Sequence, residues 1–183
     1  LFEKFGLIAK SVVVTSTGGR TEDMKLFRVD FNEITRNTIT EDDGTTRPYL
    51  FEESDLYTYF ADHEFLCIIF EEAKSRIEER APGMFVEIPH KLGDNKFLGF
   101  QRLVFSDEFI ENTVRPVWED TRNKVINGTL QDVVQRKRDG SAIVNKTGEI
   151  SSAPNFIKSR DNDVFLRGSG IDSSLRHKTE CVN

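Results

Sequence analysis

Cysteine is scarce: only Cys67 and Cys181 occur in 183 residues. A disulfide-stapled small fold is thereby excluded, and Cys67, set in an apolar run, fits a buried thiol in a reducing cytoplasm, where we expect the protein. Histidine is equally sparse. His63, His90 and His177 stand apart at no metal-ligand spacing, which leaves zinc chemistry without support. No apolar run approaches the ~20 residues of a membrane span, and the start lacks the charged, apolar and small-residue succession of a signal peptide, so no membrane partner is expected. Two formal glycosylation acceptors, at Asn127 and Asn145, have no other sign of secretion beside them. Glycine pairs such as Gly18 Gly19 read as turns, and there is no P-loop, dinucleotide fingerprint or nucleophile elbow. Positive charge is also short. The net charge of −6 argues against nucleic-acid binding spread over the whole surface.

What the chain does have is phenylalanine. Fifteen Phe supply a large apolar area, and the length suits one domain with a real core, so residues 1–183 are expected to form a single domain. The chain starts at Leu1 rather than at Met, and we expect it to be part of a longer protein.

Leu7 to Val14 is apolar apart from Lys10 and Ser11 and predicts a strand buried on both faces. Gly18 Gly19 predicts a hairpin turn, with Met24 to Phe31 as the returning strand. Asp30 to Ile34 can add a helical turn. Arg36 to Pro48, with its Glu41 Asp42 Asp43 Gly44 cluster, reads as a surface loop, and Tyr49 to Phe60 as a helix or irregular cover. Phe65 to Phe70 is an uninterrupted buried-strand signal and predicts a central strand. Charged residues 73–80 lead to a turn at Pro82 Gly83. Phe97 to Phe105 predicts a strand with Phe97, Gly99 and Gln101 on one face and Leu98, Phe100 and Arg102 on the other.

Ser106 Asp107 Glu108 is a helix start, with a capping side chain and acids where the helix dipole favours them. Ile110, Val114, Trp118, Thr121 and Val125 then recur at helical spacing. Pro116 is expected to divide this helix, and Gly128 to end it. Residues 130–138 suit either a short helix or an extended segment, and 142–150 a hairpin arm.

Two readings of Lys10 stand. Its ammonium can snorkel to solvent at the strand end. Alternatively, the strand once carried a metal nuclease site, in which an Asp and a Glu hold a divalent cation and a Lys two residues past the Glu polarises the attacking water. A rival set, Asp62 with Glu72 Ala73 Lys74, satisfies the same pattern formally, but charged residues commonly follow a buried strand. Charge is also distributed unevenly. Residues 151–183 carry five Lys and Arg against four Asp and Glu, whereas the first 150 carry twenty against twenty-seven. Any DNA contact therefore belongs in the C-terminal segment.

Phe2, Gly6 and Lys10 resemble the active-site strand of the MutH family of methyl-directed DNA endonucleases. Phe65 to Phe70, Gly99 to Phe105, Val117 to Thr121 with Gly128 Thr129 Leu130, and the segment around Arg167 Gly168 Ser169 Gly170 resemble further elements of that family in the same order. The resemblance implies an α/β, restriction-endonuclease-like (MutH-like) fold, with a mixed central sheet flanked by helices and the Trp118 helix packed on it. It also implies a degenerate catalytic site. The family's Asp falls at Leu1 and its Glu at Ile8, neither of which offers oxygen to a hard cation, so only Lys10 remains and no catalytic residue or metal ligand is expected.

In GATC-cutting type II restriction enzymes of this family, the C-terminal half binds a second site without cutting. The resemblance therefore implies a catalytically silent, DNA-binding effector domain, the C-terminal part of a longer enzyme whose N-terminal nuclease domain requires Mg. The alternatives are an active Mg-dependent endonuclease and a structural or dimerisation domain. The expected partner is double-stranded DNA with a GATC-like site. Lys158, Ser159, Arg160 and Asn162 lie where the family carries a base-reading loop, and Arg or Lys can donate to guanine while Asn can read adenine. Arg167, beside Gly168, suits a phosphate, and Arg20 in the Gly18 Gly19 turn is a further backbone candidate. The other reading of these residues is an ordinary surface balanced by Asp161 and Asp163.

Overall fold

A computed structural model of the chain describes residues 6–19, 23–145, 147–167 and 181–182. In chain order its strands are β1 (Leu7–Val14), β2 (Arg28–Val29), β3 (Thr38–Thr40), β4 (Thr46–Pro48), β5 (Glu64–Glu71), β6 (Arg76–Ala81), β7 (Met84–Ile88), β8 (Lys96–Leu103), β9 (Asp132–Val134), β10 (Ser152–Pro154) and β11 (Cys181–Val182). The α-helices are α1 (Phe31–Ile34), α2 (Asp55–Ala61), α3 (Asp107–Phe109) and α4 (Arg115–Ile126). The protein is of mixed α/β class. It divides into two compact units, Leu1–Met24 with His63–Val104, and Lys25–Asp62 with Phe105–Asn183.

The first unit is built on a mixed three-stranded sheet of order β1-β5-β8. β5 lies in the middle, parallel to β1 (Ile8 opposite Phe65, Lys10 opposite Cys67) and antiparallel to β8 (Phe65 opposite Leu103). Its central position explains the burial of Phe65 and Cys67. β1 is not buried on both faces as its apolar run predicts. It ends the strand order, Leu7, Ile8, Val12, Val13 and Val14 are only half-buried, and Ala9 and Ser11 are exposed.

The expected hairpin after β1 is also absent among the described residues. Thr15 and Gly19 close a tight turn through Thr15 N–H to Gly19 O at 2.7 Å and Gly19 N–H to Thr15 Oγ1 at 3.0 Å. The returning segment does not pair with β1: its two-residue strand β2 pairs with β11. β1 draws its ladder bonds from β5, a distant segment, so a local turn signal did not decide its partner.

Simple alternation also fails on β8. Ile69 faces Gly99 and Phe70 faces Phe97, leaving Leu98 as an extra residue in a bulge. Gly99 takes φ +149°, a backbone state that residues with a Cβ rarely adopt. The bulge reverses the parity, so Phe97 and Phe100 come together with ring centroids 5.0 Å apart instead of lying on opposite faces. Pro82 Gly83 makes the expected turn, and the charged stretch before it pairs with β7 as a ribbon.

The second unit holds the main core. Ile34, Phe51, Leu56, Phe60, Ile110, Val114, Val117, Trp118, Phe156, Val164 and Leu166 form one buried cluster. Residues 36–48 are not an open loop but a hairpin, β3 with β4. Asp43 Oδ1 accepts from Thr45 N–H at 2.9 Å and Thr45 Oγ1 at 2.6 Å at the tip. The acidic cluster is therefore turn chemistry.

Ser106 caps the long helical segment by accepting from Phe109 N–H at 3.2 Å. The segment divides, as expected, into a short entry helix, α3, and a main helix, α4, which begins around Pro116. Residues Ile110–Val114 widen into a π-turn in which Arg115 N–H donates to Ile110 O, and α4 runs on with Pro116 in its first turn. A proline has no N–H and its ring crowds the carbonyl four residues back; a π-turn just before it relieves both. The buried side chains of the Trp118 helix belong to this unit's core, with the indole 5.6 Å from the Phe51 ring. Gly128, at φ +64°, closes α4.

Candidate nucleic-acid interface

Residues 155–167 are fixed to the second unit by alternate burial. Phe156, Val164 and Leu166 enter the core with Ile157 packed against it, while Ser159, Arg160, Asp161 and Asp163 are exposed. Asn155 anchors the start: its backbone N–H donates to Gln131 O at 3.0 Å, its Oδ1 accepts from Gln131 N–H at 3.2 Å and its Nδ2 donates to Thr129 O at 3.1 Å. Lys124 Nζ reaches Asn155 O at 2.6 Å while paired with Asp120 at 2.6 Å. The chain then turns, with Asp161 and Asn162 N–H both donating to Lys158 O.

Asn162 Nδ2 donates to Thr113 O at 2.8 Å and to Val164 O at 2.7 Å. Both amide hydrogens are thus committed inside the fold, and an adenine reader needs one of them for N7 or an equivalent donor role. Asn162 acts here as a fastener of the turn.

The other candidates converge. Lys158, Ser159, Arg160 and Arg167 line one cleft of about 260 Å³, together with Gln135, Arg136, Ala153, Pro154, Phe156, Ile157, Phe165 and Leu166. Four cations and no carboxylate line it. Asp161 and Asp163 stand beside the segment, and the Arg160 Nε to Asp161 contact is long, at 3.4 Å between two exposed side chains, so it neutralises little. The Arg167 guanidinium lies over the Phe165 ring at 5.5 Å from its centroid, which holds a flat donor array at the cleft wall. A cleft walled by apolar side chains and lined by one sign of charge concentrates an anion at that point, although the whole chain is acidic.

Arg136 and Gln135 escape the sequence reading. Around the Asp139 Gly140 turn Arg136 pairs with Ala142, and it is the pairing of β9 with β10, continued by Gln135 N–H to Ser151 O at 2.8 Å, that sets both residues at the cleft. Arg20, Leu1 and Gly168 to Gly170 lie outside the described residues. On β1, Ile8 stands opposite Phe65 and Lys10 is half-buried.

Of the two positions where the wider family holds its metal, only Ile8 is described. Ile8 has no oxygen, and among the described residues no three His, Cys, Asp or Glu side chains group closely enough to hold an ion. The rival set does not assemble either. Asp62 caps the end of α2 and Glu72 follows β5, so the whole eight-residue strand separates them, about 26 Å of extended chain. Glu72 instead stands 3.6 Å from His90 Nε2.

No helix among the described residues is long and apolar enough to cross a membrane. No family model matches the chain, and no curated protein matches it.

Proposed function

We propose that this chain is a catalytically silent DNA-binding domain of restriction-endonuclease-like fold, which binds a GATC-like duplex site through the 158–167 cleft. In this reading it is the C-terminal effector part of a type IIE-like restriction enzyme, acting in the cytoplasm. Occupation of its site activates a nuclease domain elsewhere in the parent chain, whose own acids hold Mg, by a coupling between two DNA sites. One observation carries the proposal: Lys158, Arg160 and Arg167, separate in sequence, share one carboxylate-free cleft with Arg136 on an otherwise acidic chain. Phosphate contacts supply affinity and position, and arginine donors aimed at guanine supply choice among sequences.

Titration of the chain against a GATC duplex and a scrambled duplex at several salt concentrations tests this. Tighter binding to the GATC duplex, with affinity falling as salt rises, is the expected result. Absence of binding to either duplex at low salt overturns the proposal in favour of a structural domain.

A further inference from the structure

Residues 132–154 form a junction of three hairpins. β9 and β10 make the stem, with Val134 opposite Ser152 and Asp132 opposite Pro154. At its head three residues pass backbone hydrogen bonds around a ring: Gln135 N–H to Ser151 O, Ser151 N–H to Ile143 O and Ile143 N–H to Gln135 O, each at 2.8 Å. Two arms leave this ring. One pairs Arg136 with Ala142, and the other pairs Val144 with Ile150.

The arms are not there to build core. Ile143, Val144 and Ile150 are 37%, 53% and 60% exposed, and the arms are held by backbone and turn hydrogen bonds. In the first arm Lys137 N–H donates to Ser141 O at 2.8 Å and Gly140 N–H to Lys137 O at 3.0 Å. Asp139 is occupied by Ser141, through its N–H at 2.9 Å and its hydroxyl at 2.6 Å. Arg136 ties the arm to itself by donating to Gly140 O at 3.0 Å, and it also lines the cleft. The arm therefore projects three successive cations, Arg136, Lys137 and Arg138, all exposed, from the wall of the cleft.

Geometry decides which feature of a duplex such an arm suits. Two paired strands are about 4.8 Å apart before side chains are added, too broad for a minor groove about 6 Å wide but suited to a major groove about 12 Å wide. From Arg136 to Arg138 the chain advances two residues, roughly 6.6 Å, comparable to a major-groove depth of about 8.5 Å. An arm whose base stands at the phosphates thus carries its tip toward the base edges.

We propose that the 136–142 arm is a second DNA-reading element, a β-ribbon that enters the major groove of the duplex whose backbone the cleft holds, with Lys137 and Arg138 donating to purine acceptors there. This inference rests on the reading of the cleft as a DNA site.

The test uses the full chain and the double variant Lys137→Ala/Arg138→Ala, with Arg167→Ala as a cleft variant. Each is titrated against a natural GATC duplex and against the same duplex with every purine replaced by its 7-deaza analogue, which removes the N7 acceptor from the major groove and leaves the phosphates unchanged. Both changed arm residues are exposed, and an unaltered thermal midpoint checks the fold. The double variant is expected to weaken binding to the natural duplex by about tenfold or more and to cost clearly less on the deaza duplex, whereas Arg167→Ala weakens both by a similar factor. An equal cost of the double variant on both duplexes means that the arm touches only phosphates and overturns the proposal. So does parent-like binding by the double variant, which leaves the cleft reading standing if Arg167→Ala still weakens both duplexes. Loss of binding to polyglutamate with duplex binding intact also overturns it, assigning the arm to an acidic protein. If the parent binds neither duplex at low salt, the cleft reading fails and this inference fails with it.

Discussion

Asn162 Nδ2 donates to the carbonyl oxygen of Thr113 at 2.8 Å, fastening the cationic turn to the π-turn that precedes Pro116. The helix irregularity and the cleft are therefore joined through one amide group. Replacing Asn162 by Ala leaves two carbonyls without their donor, at a cost of about 1–3 kcal/mol. Asn162→Asp is expected to be worse, since a carboxylate would face the same two oxygens. Urea melts of both variants check this, and a stability equal to the parent's would mean that the fastening is not made in solution.

Binding data separate a base reader from a phosphate contact. Arg160→Ala should cost about 1–3 kcal/mol on the GATC duplex and little on a scrambled one. Arg167→Ala should weaken both and make the salt dependence shallower by about one unit of slope. Filter-binding titrations over a salt series distinguish the two patterns, and identical behaviour of the two variants would remove the base-reading role of Arg160.

Trp118 is buried in the second unit's core against Phe51, with the Arg122 guanidinium 5.2 Å from its ring centroid. Arg122 in turn donates to Arg36 O at 2.7 Å and to Asn37 Oδ1 at 3.1 Å, and also bonds Ile34 O. Trp118→Ala should therefore destabilise the fold by about 3–5 kcal/mol. A near-neutral denaturant midpoint would show that the indole is not a core anchor.

Glu33 gives a pH prediction. It is buried, accepts from Tyr49 Oη and from Asp55 N–H at 3.1 Å, and Tyr49 Oη is also 2.9 Å from Glu53 O. Burial raises its carboxyl above the ordinary glutamate range, against the lowering effect of the Tyr49 and Asp55 hydrogen bonds. The tyrosine has one proton for two acceptors, and a protonated Glu33 resolves this by donating to Tyr49 while Tyr49 donates to Glu53 O. The folded state thus binds this proton more tightly than the unfolded state does. Its contribution to stability is full below the unfolded value of about 4.3 and is lost as pH rises through the raised folded value. Glu33→Gln should cancel that loss, so the stability difference, variant minus parent, should rise with pH from about pH 4 upward. Paired chemical melts across that range measure it, and a flat difference would contradict the assignment.

With Mg and a GATC duplex the chain should leave the DNA intact, since Ile8 offers no ligand and Asp62 and Glu72 lie at opposite ends of β5. Gel assays with the parent and Glu72→Gln check this. Cutting that vanishes in the variant would restore the rival site.

The sequence by itself determined those features whose cause is local. The apolar run Phe65 to Phe70 became the central strand β5, Ser106 became a helix cap, Gly128 a helix end and Asp30 the start of a helical turn, because periodicity, capping and glycine backbone freedom act within a few residues. The cations Lys158, Arg160 and Arg167 could be read from it too, but not that they line one cleft. Only the tertiary structure decided which segments pair and which side chains meet. β1 found β5 rather than its neighbour across Gly18 Gly19, since ladder bonds between distant strands outweigh a turn preference. A single bulged residue, Leu98, reversed the faces of β8, because a strand has period two and one extra residue shifts every later side chain. Asn162 was taken by two carbonyls, and Arg136 was brought to the cleft by pairing between segments sixteen or more residues apart. Thr113 lies 49 residues from Asn162, and no short window of sequence contains such a contact or the pairing that brings Arg136 to the cleft.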